Sequence, residues 1–239
     1  AGEEIEFPLE PKEDFGRIAA QTAKQVILQR IHEAERETIF EEYKSKEGEV
    51  IAGIVQRIEG RNVFVDLGRT VGLMFADETT PGERYHVSER MKFYVIAVEP
   101  NPRGPSVFLS RSHPKLVSKL FSLEVPEISE GIVEIKAITR EPGSRTKIAV
   151  SSNDEAIDPI GACVGQKGTR VSAVIHEIGG EKIDIVAWSD DPAKFIANAM
   201  SPAKVIDVEI WPRHEARVFV PPDQLSLAIG KGGQNVRLA

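Results

Sequence analysis

The chain has 239 residues, of which 41% are hydrophobic and 28% charged, a composition typical of packed globular domains rather than of a disordered chain. Its single cysteine excludes a disulfide framework and any zinc site built from cysteine pairs, and no apolar run reaches the roughly 18 residues of a membrane span. The N-terminus lacks the basic and apolar regions of a signal peptide. We therefore expect a soluble, cytoplasmic protein of one to three domains with no membrane partner.

The formal net charge of −7 argues against tight, purely electrostatic binding to a nucleic acid. The excess acid is concentrated in residues 1–44, which contain 11 acidic and 6 basic side chains. Because salt screens charges over about 8–10 Å, phosphate binding depends on local rather than total charge. The nearly neutral remainder of the chain can still present basic surfaces.

Apolar residues recur at helical spacing from residue 15 to residue 43, with charged residues on the opposite face. This pattern predicts one long helix that either packs against or connects domains, or binds a partner. We interpret residues 1–44 as the C-terminal part of a domain whose beginning is absent, and the brief alternation at residues 5–9 as the remnant of a strand.

Between residues 49 and 111 the apolar period changes to two. Turn residues separate five short β-rich runs at residues 50–58, 62–67, 71–76, 91–98 and 106–110. Five short antiparallel strands within about 60 residues are typical of a small closed barrel. We predict a five-stranded OB-fold over residues 45–113.

After residue 113 the pattern is mixed α and β, and it occurs twice. Each copy runs helix, strand, strand, helix, glycine loop, helix, and a strand at residues 182–187 closes the first copy. The loops at residues 165–168 and 230–233 lie 65 residues apart, which indicates tandem units at 114–190 and 191–239. The second unit stops before its last strand, so we expect it to be truncated.

The two glycine loops are the most specific motifs in the chain. A helix–Gly-x-x-Gly–helix segment lets bare backbone approach a sugar-phosphate chain, because neither glycine carries a Cβ and both tolerate positive φ. The N-terminus of the following helix offers N–H groups to an anion, and Lys167 or Lys231 adds a positive charge. One such motif is more often a tight helix–helix turn, but two copies in the same context favour a phosphate-binding site.

The loops and the order of elements resemble the KH family of type II, which implies that each Gly-x-x-Gly clamps about four nucleotides of single-stranded nucleic acid. The implied RNA contacts are Gly165, Gln166, Lys167, Gly168, Gly230, Lys231, Gly232 and Gly233. The implied apolar walls of a base-binding groove are Ile160, Val164 and Ile229. Four basic residues are candidates either for phosphate contacts or for ordinary solvated charges: Arg140, Arg145, Lys147 and Arg170.

The barrel region is similar to the OB-fold family named after the largest protein of the small ribosomal subunit, which stacks bases on exposed aromatics and contacts phosphate with basic residues. The similarity rests on residues 53–68, 72–75 and 109–111. It implies base stacking by Phe64 and Phe75 and RNA contacts by Arg61 and Arg111, with Arg61 standing where many members have an aromatic. Half of a barrel's side chains point inward, so a core position stays open for both phenylalanines.

The order of long helix, OB-fold and two KH units resembles the NusA family of bacterial transcription factors, most specifically at residues 121–128, 161–165, 180–186 and 224–230. The resemblance implies a non-enzymatic, monomeric factor of elongation, pausing, termination and antitermination, without cofactor or metal. The implied partners are single-stranded nascent RNA, RNA polymerase through the N-terminal segment, and other transcription factors. Because the linkers are short, including residues 124–128, we expect a rigid rod of domains.

Two alternatives stay open. The first is an OB–KH subunit associated with the ribosome or with RNA degradation. The second is a nucleotide-binding enzyme using residues 161–169, although Gln166 and Gly168 on either side of the lysine depart from the Gly-x-x-x-x-Gly-Lys-Ser/Thr phosphate loop. The histidines show no metal-ligand spacing, and Cys163 has no histidine partner placed by sequence, which favours a small buried side chain over a nucleophile.

Overall fold

The computed structural model describes residues 13–239. The predicted strand at residues 5–9 and the start of the predicted 1–44 segment therefore lie outside the described residues. Across residues 13–239, no helix has the length and apolarity to cross a bilayer. The same part of the chain holds no group of three or more histidine, cysteine, aspartate or glutamate side chains placed to bind a metal ion.

The first element is one uninterrupted helix, α1 (Glu13–Lys44), which confirms the long helix predicted from the apolar period. Its C-terminal turns pack against the following domain, where Tyr43 is buried and its hydroxyl donates to the Leu67 carbonyl oxygen at 2.8 Å. Nearer the N-terminus the apolar residues are exposed, as at Ile18 and Ile27. The helix is therefore anchored at its C-terminal end and projects from the rest of the molecule.

Five strands follow α1 and close into a barrel, which confirms the predicted OB-fold. They are β1 (Val50–Glu59), β2 (Asn62–Asp66), β3 (Val71–Met74), β4 (Arg90–Glu99) and β5 (Ser106–Ser110). Their order is β1-β2-β3-β5-β4, and every pair is antiparallel except β3–β5. The third run ends two residues earlier than predicted, because Ala76–Glu78 form a 3₁₀ turn.

The interior of the barrel is filled by the side chains that alternate inward, including the fully buried Val65, Phe93 and Leu109. Close packing requires a glycine on β3: a Cβ at Gly72 would lie 2.6 Å from Leu109 Cδ1. The barrel is thus a packed core, and only its outer surface is available for binding.

A three-stranded α+β unit follows the barrel. Its elements are α2 (Pro114–Glu124), α3 (Pro126–Ser129), β6 (Val133–Glu141), β7 (Arg145–Ser152), α4 (Pro159–Val164), α5 (Thr169–Glu177) and β8 (Lys182–Ala187). Strand β7 is central, antiparallel to β6 and parallel to β8. The helices pack on this sheet around Leu120, Phe121 and Ile148. Residues 124–128 are part of this unit rather than a plain linker, because Val125 is fully buried and Pro126 begins α3.

The second copy contains α6 (Pro192–Ala199), β9 (Asp207–Trp211), β10 (Glu215–Phe219), α7 (Leu225–Ile229) and α8 (Gln234–Leu238). Its strands form a two-stranded antiparallel sheet. The buried centre is small and consists of Met200, Ala203 and Ala228. The order of elements repeats that of the first copy, so the predicted pair of KH units is confirmed.

The barrel and the first KH unit share one apolar core. Tyr94 of β4 is buried in the same cluster as Leu116 and Phe121 of α2, and its ring stacks on His113 with centroids 4.5 Å apart. Burial lowers the pKa of His113, so its imidazole is neutral near pH 7 where it stacks on the Tyr94 ring. A shared core opposes relative motion of the two domains.

The two KH units are joined by polar contacts from the first sheet. Lys147 Nζ, which is paired with Asp184 of the same sheet at 2.9 Å, donates to the Ser201 carbonyl oxygen of the second unit at 2.5 Å. Thr139 Oγ1 donates to the carbonyl oxygen of Leu238 at 2.8 Å. Barrel and KH units are therefore in continuous contact, as the expected rigid arrangement requires.

Candidate nucleic-acid interface

The first glycine loop joins α4 to α5 through one 3₁₀ turn. Gly165 has φ 74° and ψ 175°, Lys167 has φ 55° and ψ 25°, and Gly168 has φ 74° and ψ 18°. The first of these conformations is almost exclusive to glycine. A Cβ on Gly165 would also lie 2.6 Å from Arg170 Cγ. Gln166 and Lys167 at the tip are exposed, so the loop presents backbone and a lysine to solvent.

The second glycine loop joins α7 to α8 with the same backbone. Gly230 has φ 77° and ψ 166°, Gly232 has φ 60° and ψ 23°, and Gly233 has φ 76° and ψ 12°. Lys231 and Gly232 are exposed at the tip. The two loops thus match residue by residue, although the lysine sits one position earlier in the second loop.

Behind each loop, a side chain at the same position of the repeat hydrogen-bonds the helix that precedes the loop. Arg170 Nη1 donates to the Ala162 carbonyl oxygen at 2.7 Å, and Asn235 Nδ2 donates to the Ala228 carbonyl oxygen at 3.0 Å. Arg170 is also paired with Glu127 at 2.8 Å. Its guanidinium therefore holds the end of α4, which is a different task from the phosphate contact expected of it.

The residues expected to line an apolar groove lie beside the loops. Ile160 and Val164 on α4 are half-buried, and Ile160 packs partly against the core of the first unit. Ile229 is exposed on α7. Apolar surface next to an exposed backbone loop can accept a base while the loop contacts its phosphate.

Three basic residues expected near the first loop are held in ion pairs. Arg140 is 1% exposed and makes a two-nitrogen contact with the fully buried carboxylate of Glu181. Arg145 and Lys147 both bind Asp184, and burial lowers the pKa of the Lys147 ammonium group. These side chains join strands and units, which is a different role from the phosphate contacts expected of them.

Arg111 is a large and almost fully buried side chain, only 1% exposed. It pairs with Glu83 and with Glu177, and its Nη2 also donates to the Glu177 carbonyl oxygen at 2.7 Å. Burial acts to lower the pKa of Arg111, but the hydrogen bond and charge of Glu83, together with the charges of Glu177 and Tyr85, raise it overall. The residue links the barrel to α5 and is not placed to contact RNA.

The expected aromatic residues of the barrel lie outside its buried core. Phe75 is 43% exposed, and its ring stacks on Phe108 with centroids 5.8 Å apart and an interplanar angle of 17°. Phe64 is half-buried on the outer surface of β2, where the guanidinium of Arg57 lies 3.9 Å from its ring centroid. Arg61 is exposed in the turn between β1 and β2.

The barrel face contains residues that sequence reasoning missed. The strand register places Arg57, Phe64, Leu73 and Phe108 in one row across four strands. Arg57 joins the row because of a β-bulge between Val55 and Arg57, a feature that redirects side chains. An open groove of about 490 Å³ follows this row and is also lined by Arg69 and Arg103. The alternation of β5 could have identified Phe108, but no sequence signal locates the bulge.

Cys163 is fully buried in the core of the first KH unit, one residue before the end of α4. Burial, with a smaller contribution from Glu127, raises the pKa of its thiol to about 11. A thiol with that pKa is protonated near neutral pH and is a weak nucleophile. Its position supports the packing role predicted from the sequence.

Four family models match successive parts of the chain. They are described as the NusA N-terminal domain (residues 1–37), the S1 RNA binding domain (44–110), the NusA-like first KH domain (111–188) and the NusA-like second KH domain (192–239).

Curated relatives named transcription termination/antitermination protein NusA are similar along the chain. The Thermus thermophilus protein is 53% identical over 240 residues, and the Bacillus subtilis protein is 50% identical over 239 residues; each alignment covers all of this chain. The Mycobacterium tuberculosis H37Rv protein is 52% identical over 95% of this chain. This chain spans 62%, 64% and 68% of the length of these three relatives, respectively.

Proposed function

This chain belongs to the NusA family of transcription termination/antitermination proteins, and on that premise we propose that it binds single-stranded nascent RNA beside a bacterial RNA polymerase. It acts in elongation, pausing, termination and antitermination, in the cytoplasm and without enzymatic activity. The observation that carries the proposal is the pair of exposed Gly-x-x-Gly loops with matching positive-φ backbones.

We assign a task to each part of the chain. Residues 1–44 contact RNA polymerase, residues 45–113 bind RNA on the barrel, and residues 114–190 and 191–239 are the two RNA clamps. The apolar residues left exposed on α1, such as Phe15 and Ile18, are consistent with a contact made by its N-terminal half.

The loops bind RNA through backbone and charge. Because the tips carry exposed Lys167 and Lys231 and no bulky side chain at the glycines, a phosphate can approach the main chain and a lysine together. The nine-residue helix α5 begins at the first loop and adds its N-terminal N–H groups. Attraction of this kind is local, which is compatible with a net charge of −7.

The proposed RNA surface is smaller than the sequence indicated. It comprises residues 165–168 and 230–233, and the barrel residues Phe64, Phe75 and Arg61. It leaves out Arg111, Arg140, Arg145, Lys147 and Arg170, whose guanidinium or ammonium groups are committed to protein partners. Base stacking on the barrel aromatics and phosphate contacts at the loops involve different parts of the same RNA strand.

Charge reversal at the two tips tests the proposal. The variant Lys167→Glu/Lys231→Glu should repel phosphate, and its affinity for a labelled single-stranded RNA at fixed salt should fall by about tenfold or more, as expected when two phosphate contacts are lost. The slope of log affinity against log salt should decrease by about 1.4, at about 0.7 for each phosphate. Fluorescence anisotropy measures both quantities.

The matched control is Arg17→Glu/Lys24→Glu, which makes the same charge change at exposed positions of α1. It should leave RNA affinity within about twofold of the parent, since screened charges far from the site contribute little. Equal affinity of the parent and the loop variant, with the far-ultraviolet circular dichroism unchanged, would contradict the assignment of the clamps.

A further inference from the structure

The second glycine loop is tied to the first KH unit by one arginine. Arg237 Nη1 donates to the carbonyl oxygen of Gly232, at the tip of the loop, at 2.8 Å. Its Nε donates to Glu141 Oε1 at 2.5 Å. Glu141 is the last residue of β6 and belongs to the other unit. A single guanidinium thus connects the tip of one clamp to the sheet of the other.

The second oxygen of the Glu141 carboxylate is also occupied from the second unit. Gln234 Nε2 donates to Glu141 Oε2 at 2.9 Å and to Ser144 Oγ at 2.6 Å. The hydrogen bond from Arg237, and then that from Gln234, lower the pKa of Glu141. The carboxylate is therefore ionised at neutral pH and held by both ends of α8.

Within residues 13–239, the first loop has no such connection. Ser172 stands at the position of Arg237 in the repeat, 65 residues earlier, and Thr169 stands at the position of Gln234. The support of the first loop, Arg170, bonds only Ala162 and Glu127 of its own unit among the described residues. The repeats therefore differ at the positions that join the second clamp to the first unit.

The charges of this contact suit a phosphate ligand. An unpaired carboxylate beside the loop would repel RNA, but the guanidinium of Arg237 neutralises it. Arg237 is 57% exposed, and its Nη2 makes no hydrogen bond within residues 13–239. Hydrogen bonds fix Nε and Nη1 of the guanidinium. They leave Nη2 as an oriented donor next to the exposed tip formed by Lys231 and Gly232.

We propose that the first KH unit completes the second clamp: Glu141 is a positioning residue that fixes Arg237, and Arg237 contacts RNA phosphate beside Gly232. The inference rests on the proposed function and deepens it, because it makes the second RNA site a composite of both units. RNA affinity at the second loop then depends on the docking of the two units and not on that loop alone.

The direction in which Glu141→Gln changes the RNA affinity separates this proposal from simple electrostatics. Removing an acidic group near a polyanion should strengthen binding, whereas Glu141→Gln should weaken it because Arg237 is no longer held. We expect an affinity loss of about three- to tenfold for Glu141→Gln and for Arg237→Lys, the range for the net contribution of one hydrogen bond at an exposed site. The double variant should bind no more weakly than Arg237→Lys alone, since Glu141 acts through Arg237.

Glu130→Gln is the matched control, because Glu130 is an exposed acid of the same unit with no ion pair among the described residues. It should bind RNA as tightly as the parent or slightly more tightly. If Glu141→Gln behaved like Glu130→Gln, or if the two losses were additive, the proposal would be overturned. That failure is distinct from failure of the proposed function, in which the parent itself would bind no RNA or the Lys167→Glu/Lys231→Glu variant would bind normally.

Discussion

Single glycines determine the shape of the two glycine loops. Gly165 and Gly230 both combine a φ near +75° with a ψ near 170°, a region that side-chain-bearing residues avoid. The surroundings differ, because a Cβ on Gly165 would lie 2.6 Å from Cγ of the Arg170 side chain, whereas a Cβ on Gly230 would lie 2.6 Å from the backbone nitrogen of Asn235. A side chain can move aside more easily than the backbone at the start of α8.

Alanine substitutions at these glycines should therefore have unequal effects. Gly165→Ala should lower the free energy of unfolding by about 1–3 kcal/mol, the cost of one residue held in this region. Gly230→Ala should lower the stability of its unit by more, since it adds a backbone collision. Urea unfolding with hydrogen exchange on both loops measures the two effects.

Gly16→Ala is the control, because Gly16 lies in α1 and no atom of the described residues lies within 4 Å of the position of an added Cβ. That change should be neutral or should stabilise the helix by up to about 1 kcal/mol. Equal, negligible effects at all three glycines would show that the loops do not need this backbone.

At the scale of residues, the sequence predicted motifs better than it predicted burial. The spacing of the glycines was sufficient to find both loops. Both loops adopt the same positive-φ backbone, so both need glycine at the corresponding positions. The roles of Arg111 and Arg140 were not predictable in the same way. Their partners, Glu83 and Glu181, lie 28 and 41 residues away in the chain, and only the fold brings them together.

At the scale of elements, periodicity located most strands and helices. Strands β2 and β3 alternate buried side chains with more exposed ones, so their period of two is visible in the sequence. Helix α3 was missed because its four residues are too few to show a helical period, and the Val125-Pro126 step at its start is typical of a linker. The bulge in β1 also has no sequence signature, which is why Arg57 was not identified.

A buried ion pair joins two elements of the first KH unit and reaches the segment that follows the barrel. Arg140 of β6 binds Glu181, just before β8, and its Nη1 also donates to the His113 carbonyl oxygen at 2.9 Å. Arg140→Met should cost about 3–5 kcal/mol of unfolding free energy, because it leaves the Glu181 carboxylate buried without its partner. Thermal or urea unfolding measures the loss.

Two further variants distinguish the cost of leaving a buried charge unpaired from the loss of an exposed ion pair. Arg140→Met/Glu181→Leu should lose less stability than Arg140→Met, since no charge is left unpaired. Lys119→Met removes the exposed pair with Glu49 and should change the free energy of unfolding by about 1 kcal/mol or less. A loss as small for Arg140→Met as for Lys119→Met would contradict the structural role given to Arg140.

At the scale of the whole molecule, the barrel and the KH units act as one body. Tyr94 places part of the barrel in the core of the first unit, and Lys147 and Glu141 connect the first unit to the second. Binding sites held in fixed positions reinforce one another, because binding at one raises the effective concentration of RNA at the next. Weak local contacts at two loops and one barrel face can therefore give useful affinity despite the acidic net charge.

The most direct test of the central claim, that both glycine loops bring bare backbone against one RNA strand, is photo-crosslinking with residue-level mapping. The RNA is a single strand of about 12 nucleotides, enough for about four at each loop and a few on the barrel. We predict crosslinks from the same RNA at both tips, Gln166–Lys167 and Lys231–Gly232, and at Phe64 or Phe75 of the barrel. Crosslinks confined to α1, or absent from both loops, would contradict the account.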